Sequence, residues 1–343
     1  MTLRGSAGLA LAALACAAPA VSFAASHDEA LALLHAAAEA PRHVSFVGEV
    51  EFLTIGAHGS QASVFRVDHS APNRTRRWYV SPPNLYGDSN LSLGDATYTI
   101  DVRHRRVVIT KNDWFGTHHG WHRNLQLLVR NYKAILGPTV EIVGRRARTI
   151  ALVSRYTGTT TMRLWIDAKT NLMLQRQVYT SSGSLVVQMH FNEVHFTDAI
   201  PTSAFAMPVG YAVVSGPSRG VPSDDPSSVI AHAGFNARVP RYLPEGFVPV
   251  AADLAAEKGV RTLHILYSDG LRTVSLFENA RGSDVDMSGF HPLPFVVGSV
   301  RGRSVDEGPM TLLAWSRAGL HFALVGDLNE NELERIVASV SPR

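Results

Sequence analysis

The sequence contains a single cysteine, Cys16, among its 343 residues. One thiol cannot form an intramolecular disulfide bond. Because Cys16 lies in an apolar segment with the features of a cleaved signal, we expect the mature chain to contain no thiol. A disulfide-stabilised fold and metal ligation by cysteine are therefore excluded for the mature chain.

The first 24 residues have the three-part layout of a secretory signal peptide. Arg4 is their only charged residue, small apolar residues follow over 8–21, and residues 22–24, SFA, match a cleavage site. The apolar run is too short and too rich in alanine for a membrane span. We therefore predict a cleaved signal peptide over 1–24 and an exported mature chain. Lipidation of Cys16 is the alternative, although its usual leucine three residues upstream is absent.

Neither sign of charge dominates the sequence. It has 32 Lys and Arg against 29 Asp and Glu, a formal net charge of +3. This balance selects no class of partner, and export without any nucleic-acid-binding motif argues against nucleic acid. Arginines nevertheless form three local clusters, which are either solvated strand ends or a surface that attracts anionic head groups. The clusters are Arg74, Arg76 and Arg77; Arg103, Arg105 and Arg106; and Arg145, Arg146 and Arg148.

The common catalytic and phosphate-binding motifs are also missing from the sequence. It has no P-loop, no G-x-G-x-x-G turn after a strand and no H-E-x-x-H, and its acidic residues are scattered along the predicted strands. Residues 216–220, GPSRG, match G-x-S-x-G. Ser218 lies, however, in a proline-rich stretch without the strand and the helix that a nucleophilic serine requires. We therefore predict that the chain is not an enzyme.

One histidine-rich stretch, DWFGTHHGWHRN over 113–124, raises the question of a metal site. His118 and His122 could bind one metal ion only if both stood on the same helical turn. Since the helical pattern begins at Trp121, we predict that His118 and His119 lie in a preceding loop. We expect no metal and no cofactor. A metal-dependent hydrolase that uses His118, His119 and His122 is the alternative.

The mature N-terminal region is predicted to contain a helix followed by many strands. Ser26 is a suitable N-cap, and apolar residues recur at helical spacing until Pro41. From residue 43 apolar and polar residues alternate in successive segments, several of them joined by tight turns. A second helix is predicted over 121–136, ended by Gly137-Pro138. The region 25–212 is therefore predicted to be a curved antiparallel sheet with covering helices.

A second domain is expected because roughly 320 mature residues exceed what one core usually organises. Residues 214–228, VSGPSRGVPSDDPSS, are rich in Pro, Gly, Ser and Asp, which indicates a linker, here assigned to 213–232. Residues 233–343 are predicted to form a small α+β domain. It ends in a helix with Asn329 and Glu332 as a capping box and an apolar stripe at Leu333, Ile336, Val337 and Val340.

Apolar residues alternate along three successive strands of the first domain, so each strand has one apolar face. These faces are either plain core under the helices or the lining of a cavity for an acyl chain. Together with three aromatic residues of earlier strands, we predict them as lipid-binding. The set is Phe46, Phe52, Trp78, Met162, Leu164, Ile166, Leu185, Val187, Met189 and Phe191.

Two parts of the sequence resemble known protein domains. Residues 163–196, RLWIDAKTNLMLQRQVYTSSGSLVVQMHFNEVHF, resemble periplasmic lipoprotein-carrier domains in their L-W-x-D, the following T-x-L and a glycine-containing hairpin. Residues 242–247, YLPEGF, 267–271, YSDGL, and 325–328, VGDL, are similar to the C-terminal domain of the MucB/RseB family. In this order they indicate a member of that family. Met173 stands where many members have proline.

The resemblance implies an N-terminal half-barrel, a smaller α+β domain and a location in the periplasm. It further implies a regulator of a sigma-E type envelope-stress response that binds the periplasmic domain of a membrane anti-sigma factor. Lipoprotein acyl chains or lipopolysaccharide would relieve that binding, and a homo-oligomer is possible. The partner-binding residues carry no short motif. A periplasmic lipoprotein-carrier chaperone is the alternative function.

Overall fold

The computed structural model describes residues 23–56, 59–94, 96–111, 118–180, 182–215, 220–257, 259–280, 287, 291–307 and 310–342. The predicted signal peptide lies outside these ranges except for its last two residues. None of the helices within the described ranges is long and apolar enough to cross a membrane.

The first domain, as the name is used below, extends from the first helix to the twelfth strand. It begins with α1 (Phe23–Glu39) and a 3-10 turn (Ala40–Arg42), and it contains a second helix, α2 (His118–Asn131). Its strands are β1 (Phe46–Gly56), β2 (Gly59–Ser70), β3 (Arg74–Ser81), β4 (Ser89–Leu93), β5 (Ala96–Asp101), β6 (Arg106–Lys111), β7 (Tyr132–Ile142), β8 (Arg145–Ser154), β9 (Thr160–Asp167), β10 (Met173–Tyr179), β11 (Leu185–Phe196) and β12 (Ala212–Ser215).

These strands form one large curved sheet that does not close on itself. The strand order is β12-β6-β5-β4-β3-β2-β1-β11-β10-β9-β8-β7. Neighbours are antiparallel except β12, which runs parallel to β6 at one edge. The first and the last long strands thus pair in the middle of the sheet, where β1 lies beside β11. The predicted α+β class, with a curved antiparallel half-barrel in the first domain, is confirmed.

The second predicted helix is correct only in its first part. We expected a helix over 121–136, but α2 ends at Asn131 and Tyr132 begins β7. Tyr132, Ala134 and Leu136 also alternate along a strand, where they join the buried cluster beneath α1. Gly137-Pro138 falls at a register shift of β7 rather than at a helix end. Helical spacing and alternation both fitted this short apolar stretch, and tertiary packing selected the strand.

The N-terminal end of α2 also differs from the prediction. The helix begins at His118, so the backbone of His118 and His119 is helical and not a loop. The side chains of these two residues and of His122 lie outside the described part of the chain.

The predicted linker over 213–232 includes ordered elements at both ends. Its first residues belong to β12, and its last residues form α3 (Pro226–Ala231), for which Asp225 is the N-cap. Ile230 of α3 is buried in the core of the second domain. Residues 216–219, including Ser218, lie outside the described residues.

The second domain extends from α3 to the last strand. Its strands are β13 (Arg238–Pro240), β14 (Val248–Glu257), β15 (Val260–Ser268), β16 (Thr273–Asn279), β17 (Leu293–Val297), β18 (Val300–Glu307), β19 (Met310–Arg317), β20 (Leu320–Gly326) and β21 (Val340–Pro342), and its last helix is α4 (Glu330–Ser339). Seven of these strands form a sheet in the order β14-β15-β16-β20-β19-β18-β17, and β13 pairs with β21.

The apolar stripe of α4 packs on one face of the seven-stranded sheet. Leu333, Ile336 and Val337 are fully buried in one cluster with residues of β15, β16 and β20. The predicted cap is present as well, because the Asn329 side-chain oxygen accepts a hydrogen bond from the Glu332 amide at 2.9 Å. The sequence-based prediction of a closing amphipathic helix is therefore confirmed.

Candidate functional site

One face of the first sheet can be followed from strand to strand through its register, because residues paired across an antiparallel ladder point to the same side. Phe52 on β1 is paired with Met189 on β11. Met189 is paired with Arg176 on β10, and Arg176 with Leu164 on β9. We call the side that carries these four residues the helix-covered face, because α1 packs against part of it.

The part of this face beneath α1 is closely packed. Met162, Leu164 and Ile166, three of the predicted lipid-binding residues, are 8%, 7% and 0% exposed. They form one cluster with Ala30 and Leu33 of α1 and with residues of β7 and β8. At these three positions the apolar side chains bury one another, so they are core residues in this structure.

Phe46 and Phe191 lie together in a neighbouring aromatic cluster. Both are buried, and their rings meet edge to face at a centroid distance of 5.7 Å. Phe46 also stacks on the imidazole of His69 at 5.0 Å. The His69 ring nitrogens lie 2.6 Å from the Pro41 carbonyl oxygen and 2.7 Å from the Thr75 hydroxyl. Burial lowers the pKa of His69, so a neutral ring donates to Pro41 and holds the end of the N-terminal helical segment against the sheet.

The remaining predicted residues of β1 and β11 are less completely covered. Phe52, Leu185 and Met189 are half-buried, while Val187 between them on β11 is buried. Val187 is paired with Thr54, two residues from Phe52, so this group is continuous along the two central strands. The structure therefore brings together Phe52, Val187 and Met189, which are distinct from the core residues beneath α1.

Trp78 does not share a face with the other predicted residues. It is paired with Arg66 of β2, whereas Phe65 and Tyr79 point to the side that carries Phe52. On the opposite side Trp78 lines a surface cavity of about 450 Å³ with Arg66, Asp68 and Tyr86, and the Arg76 guanidinium stacks on its ring at 5.0 Å. Alternation along β3 therefore puts Trp78 on the side opposite Phe52.

A second candidate region is the junction between the two domains, which the sequence did not reveal. The Asn131 side-chain amide at the end of α2 donates to the carbonyl oxygens of Gly246 and Asp269, at 3.0 and 2.8 Å. The next residue, Tyr132, donates its hydroxyl to the Asp269 carboxylate at 2.5 Å. Burial, followed by the Asp269 charge, strongly raises the pKa of Tyr132. The phenol therefore remains a donor, and both residues fasten the β15–β16 turn to the first domain.

The basic side of this junction is Arg272, the residue that ends the same turn. Its guanidinium pairs with Asp269 at 3.2 Å and lies 4.0 Å from Glu332 at the start of α4. It also stacks over the ring of Phe247 at 5.6 Å. Burial lowers the pKa of Arg272, but the neighbouring Tyr132, Asp269 and Glu332 raise it overall. Beside it a polar cleft of about 290 Å³ separates the β8–β9 turn from Tyr242 and Arg335.

An aligned Asp–His–Ser group on the second sheet resembles a catalytic triad in its distances. His264 lies 2.8 Å from the Asp253 carboxylate and 3.0 Å from the Ser275 hydroxyl. Ser275 is, however, in the middle of β16, which is paired on both sides with β15 and β20. Its backbone amide is therefore committed to the sheet and is not presented as an oxyanion donor, which acyl transfer needs. The group joins the strands β14, β15 and β16. The Asp253 carboxylate also accepts a hydrogen bond from the Gly220 amide, which precedes the second domain in the chain.

Several arginines of the three basic clusters make contacts within the protein. Arg145 binds the buried carboxylate of Asp167 through two nitrogens, at 2.6 and 3.2 Å, and lies over the ring of Phe196 at 4.5 Å. Arg76 donates to the carbonyl oxygens of Ala204 and Ala206. These two arginines therefore have structural roles and do not form a free basic surface. Within the described residues, no cluster of three or more possible metal ligands occurs.

The comparisons with known proteins give one family match and several structures of similar fold. The model of the MucB/RseB N-terminal domain matches residues 29–209, more than half of the chain. The complex of MucA and MucB from Pseudomonas aeruginosa is similar over 92% of this chain and 99% of that chain, at 18% identity and a TM-score of 0.63. A crystal structure of MucB in complex with MucA(peri) has the same coverage, at 17% identity and a TM-score of 0.60.

At these identities the structural similarity establishes a common fold. A further crystal structure, of MucB, covers 92% of this chain and 98% of that chain, at 17% identity and a TM-score of 0.53. No curated protein matches the sequence significantly.

Proposed function

Because the chain belongs to the MucB/RseB family, we propose that it is a periplasmic regulator of a sigma-E type envelope-stress response. In this proposal it binds the periplasmic segment of a membrane anti-sigma factor and makes or breaks no covalent bond. The observation that carries the proposal is the family match over 29–209. Two structures of similar fold are complexes of MucB with MucA, which supports a partner of the same kind.

The second part of the proposal is that an amphiphile controls this binding. The first domain offers Phe52, Val187 and Met189 as a continuous apolar group, with Leu185 at its end. An acyl chain that covers this group would be stabilised by the apolar area removed from water. The acyl chain of a lipoprotein and that of a lipopolysaccharide both meet this requirement.

The two activities are coupled if the amphiphile favours one arrangement of the domains and the anti-sigma segment favours another. Each ligand then weakens the binding of the other by the same factor. The hydrogen bonds from Asn131 and Tyr132 to the β15–β16 turn are suited to this role, because they join the sheet that carries the apolar group to the second domain.

A capture experiment tests both parts. The mature chain is immobilised, and the periplasmic segment of an anti-sigma factor encoded beside its gene is applied with an acylated peptide or with the same peptide lacking the acyl group. We expect capture of the segment, and a reduction of capture only with the acylated peptide.

The possible outcomes separate the alternatives. Absence of capture removes the regulatory function. Capture that the acylated peptide does not change removes the sensing function. Binding of the acylated peptide without capture of the segment favours the lipoprotein-carrier chaperone.

A further inference from the structure

Two aromatic side chains line a surface cavity of the first domain without a role in its core. Tyr86 is 71% exposed, and Trp78 is half-buried on β3. Within the part of the chain that the structure describes, neither residue belongs to an apolar cluster. Aromatic surface that is left in contact with water is typical of a binding site. The cavity has a volume of about 450 Å³, which is within the range of small-ligand sites.

The indole ring of Trp78 is held in place by a neighbour on the same strand. The guanidinium of Arg76 lies over this ring at 5.0 Å. Arg76 is itself fixed, because it donates hydrogen bonds to the carbonyl oxygens of Ala204 and Ala206, at 3.4 and 2.8 Å. A third hydrogen bond joins it to the Ser89 hydroxyl at 3.4 Å. A ring that is already oriented loses little conformational freedom when a ligand stacks on it.

Two side chains of opposite charge also line the cavity. Arg66 and Asp68 are alternate residues of β2, so they point to the same side of the sheet as Trp78, the cross-strand partner of Arg66. Arg66 is exposed and Asp68 is half-buried. Asp68 is paired across the ladder with Arg76, but among the described residues neither Arg66 nor Asp68 forms a side-chain hydrogen bond or an ion pair. The guanidinium and the carboxylate therefore remain available to a ligand.

The chemistry of the ligand follows from these groups taken together. An anionic ligand that Arg66 attracts is repelled by Asp68, and the reverse holds for a cationic ligand. A hydroxyl group both donates and accepts hydrogen bonds, so neighbouring hydroxyls of one neutral molecule can bind the carboxylate and the guanidinium at once. A pyranose ring combines such hydroxyls with an apolar C–H face that packs on an aromatic ring. A β-1,4-linked chain of these rings is flat and suits an open cavity, whereas an α-1,4-linked chain curves.

We propose that this cavity binds a neutral β-1,4-linked saccharide. Trp78 and Tyr86 stack on its rings. Arg66 donates hydrogen bonds to its hydroxyl groups, and Asp68 accepts hydrogen bonds from them. This site goes beyond the proposed function and does not depend on it. Because Trp78 lies on the side of the sheet opposite Phe52, a saccharide in the cavity leaves the apolar group on β1 and β11 uncovered.

Titration calorimetry with soluble oligosaccharides tests the site. Cellotetraose and chitotetraose are titrated into the mature chain, and their different substituents distinguish a glucan from an amino-sugar polymer as the source of the ligand. Maltotetraose is the α-linked comparison, and sorbitol is a polyol without a ring. We expect at least one of the two β-linked chains to bind, and maltotetraose to bind at least about tenfold more weakly than that chain. Sorbitol should not bind, because it has no ring face to stack.

Four variants separate stacking from hydrogen bonding. Trp78→Ala should weaken saccharide binding at least about tenfold, because it removes a large stacking surface. Tyr86→Ala makes a similar change at a residue that the fold does not bury, and it should also weaken binding. Asp68→Asn should weaken binding at least about fivefold through the loss of a charge-assisted hydrogen bond. Asp198→Asn, at an exposed residue outside the cavity lining, is the matched control and should leave binding unchanged. Thermal unfolding of each variant checks that the fold is retained.

Each contrary result has a defined meaning. If neither β-linked chain binds to the unmodified protein, the saccharide site is overturned. Binding that Tyr86→Ala and Asp68→Asn both leave unchanged, in folded protein, overturns the assignment to this cavity. Equal affinities for the β-linked chains and maltotetraose overturn the selection of a flat chain. Capture of the anti-sigma segment is measured separately, so the proposed function stands or fails independently of these results.

Discussion

The hydroxyl of Tyr132 donates a 2.5 Å hydrogen bond to the carboxylate of Asp269, across the junction of the two domains. Both residues are buried, at 2% and 1% exposure. Tyr132 is the first residue of β7 and adjoins Asn131, so a change from helix to strand in the first domain coincides with the attachment point of the second. Two consecutive side chains thus contribute to holding the domains together.

Tyr132→Phe should weaken this attachment. The buried Asp269 carboxylate loses a donor but keeps those from Arg272, so we expect a loss of about 1–2 kcal/mol in the free energy of unfolding. Chemical denaturation measures this loss. Tyr86→Phe, at a tyrosine that is 71% exposed, is the control and should change the free energy by less than about 0.5 kcal/mol. Equal stability of Tyr132→Phe and the unmodified chain would show that the hydrogen bond does not contribute.

Gly270→Ala should disturb the junction by a steric effect. Gly270 has a φ of +97°, and a Cβ atom there would lie 2.2 Å from the Leu128 amide nitrogen and 2.7 Å from the Leu127 carbonyl carbon. Both contacts are with the backbone of α2, which cannot move aside cheaply. We expect a destabilisation clearly above the ~1 kcal/mol of backbone strain alone.

Gly298→Ala separates strain from the steric contact. Gly298 also has a positive φ, +58°, but nothing lies within 4 Å of a Cβ atom built there. This variant should show only the strain. Limited proteolysis between residues 212 and 225 should be faster in Gly270→Ala than in Gly298→Ala. Equal rates and equal stabilities would mean that the turn does not fasten the domains.

The amino-acid sequence predicted those parts of the fold that depend on local pattern. The cap of α4, its apolar stripe and the alternation of β1 depend on residues that are close together in the sequence. Each of them is present in the structure. The prediction of a helix over 132–136 is wrong because the local pattern fits both a helix and a strand. Packing beneath α1 decides that this segment is part of β7. The side of the sheet on which Trp78 lies depends on strand register, which a single sequence does not display.

The junction between the domains was also beyond sequence reasoning. Asn131 and Tyr132 are separated from Asp269 by more than a hundred residues, and the YSDGL stretch that contains Asp269 does not indicate which residues it contacts. Ser268-Asp269-Gly270 is a typical hairpin turn, and β15 and β16 do pair, but such a turn does not indicate what it packs against.

Glu278 should make the stability of the protein depend on pH in the opposite direction from most carboxylates. It is 1% exposed, and its two carboxylate oxygens accept one bifurcated hydrogen bond from the Arg238 amide. Burial raises the pKa of Glu278 from 4.5 to about 7. The folded state therefore retains a proton that the unfolded state loses first, and stability falls as the pH rises from about 4.5 to about 7.

The free energy of unfolding, measured by denaturant titration at several pH values from 5 to 7.5, checks this expectation. Glu278→Gln should flatten the pH dependence over that range, by on the order of 2–3 kcal/mol in total. Asp327, whose pKa burial raises to about 6, contributes with the same sign below that pH and remains in the variant. A slope that Glu278→Gln leaves unchanged would show that this carboxyl group is not the source.

The last prediction distinguishes an acyl-chain site from ordinary core on the helix-covered face. Met189→Asp puts a charge at a half-buried position beside Phe52 and Val187, so it should abolish dodecyl maltoside binding while the protein stays folded. Leu164→Ala instead removes a side chain that is 7% exposed beneath α1. It should lower the free energy of unfolding by roughly 2–5 kcal/mol through the cavity that it leaves, with little effect on amphiphile affinity.

Titration calorimetry and denaturation of both variants give the comparison. If Met189→Asp unfolds the protein, or if Leu164→Ala weakens amphiphile binding as much as Met189→Asp does, the two groups belong to one continuous core and the apolar group on β1 and β11 is not a separate site.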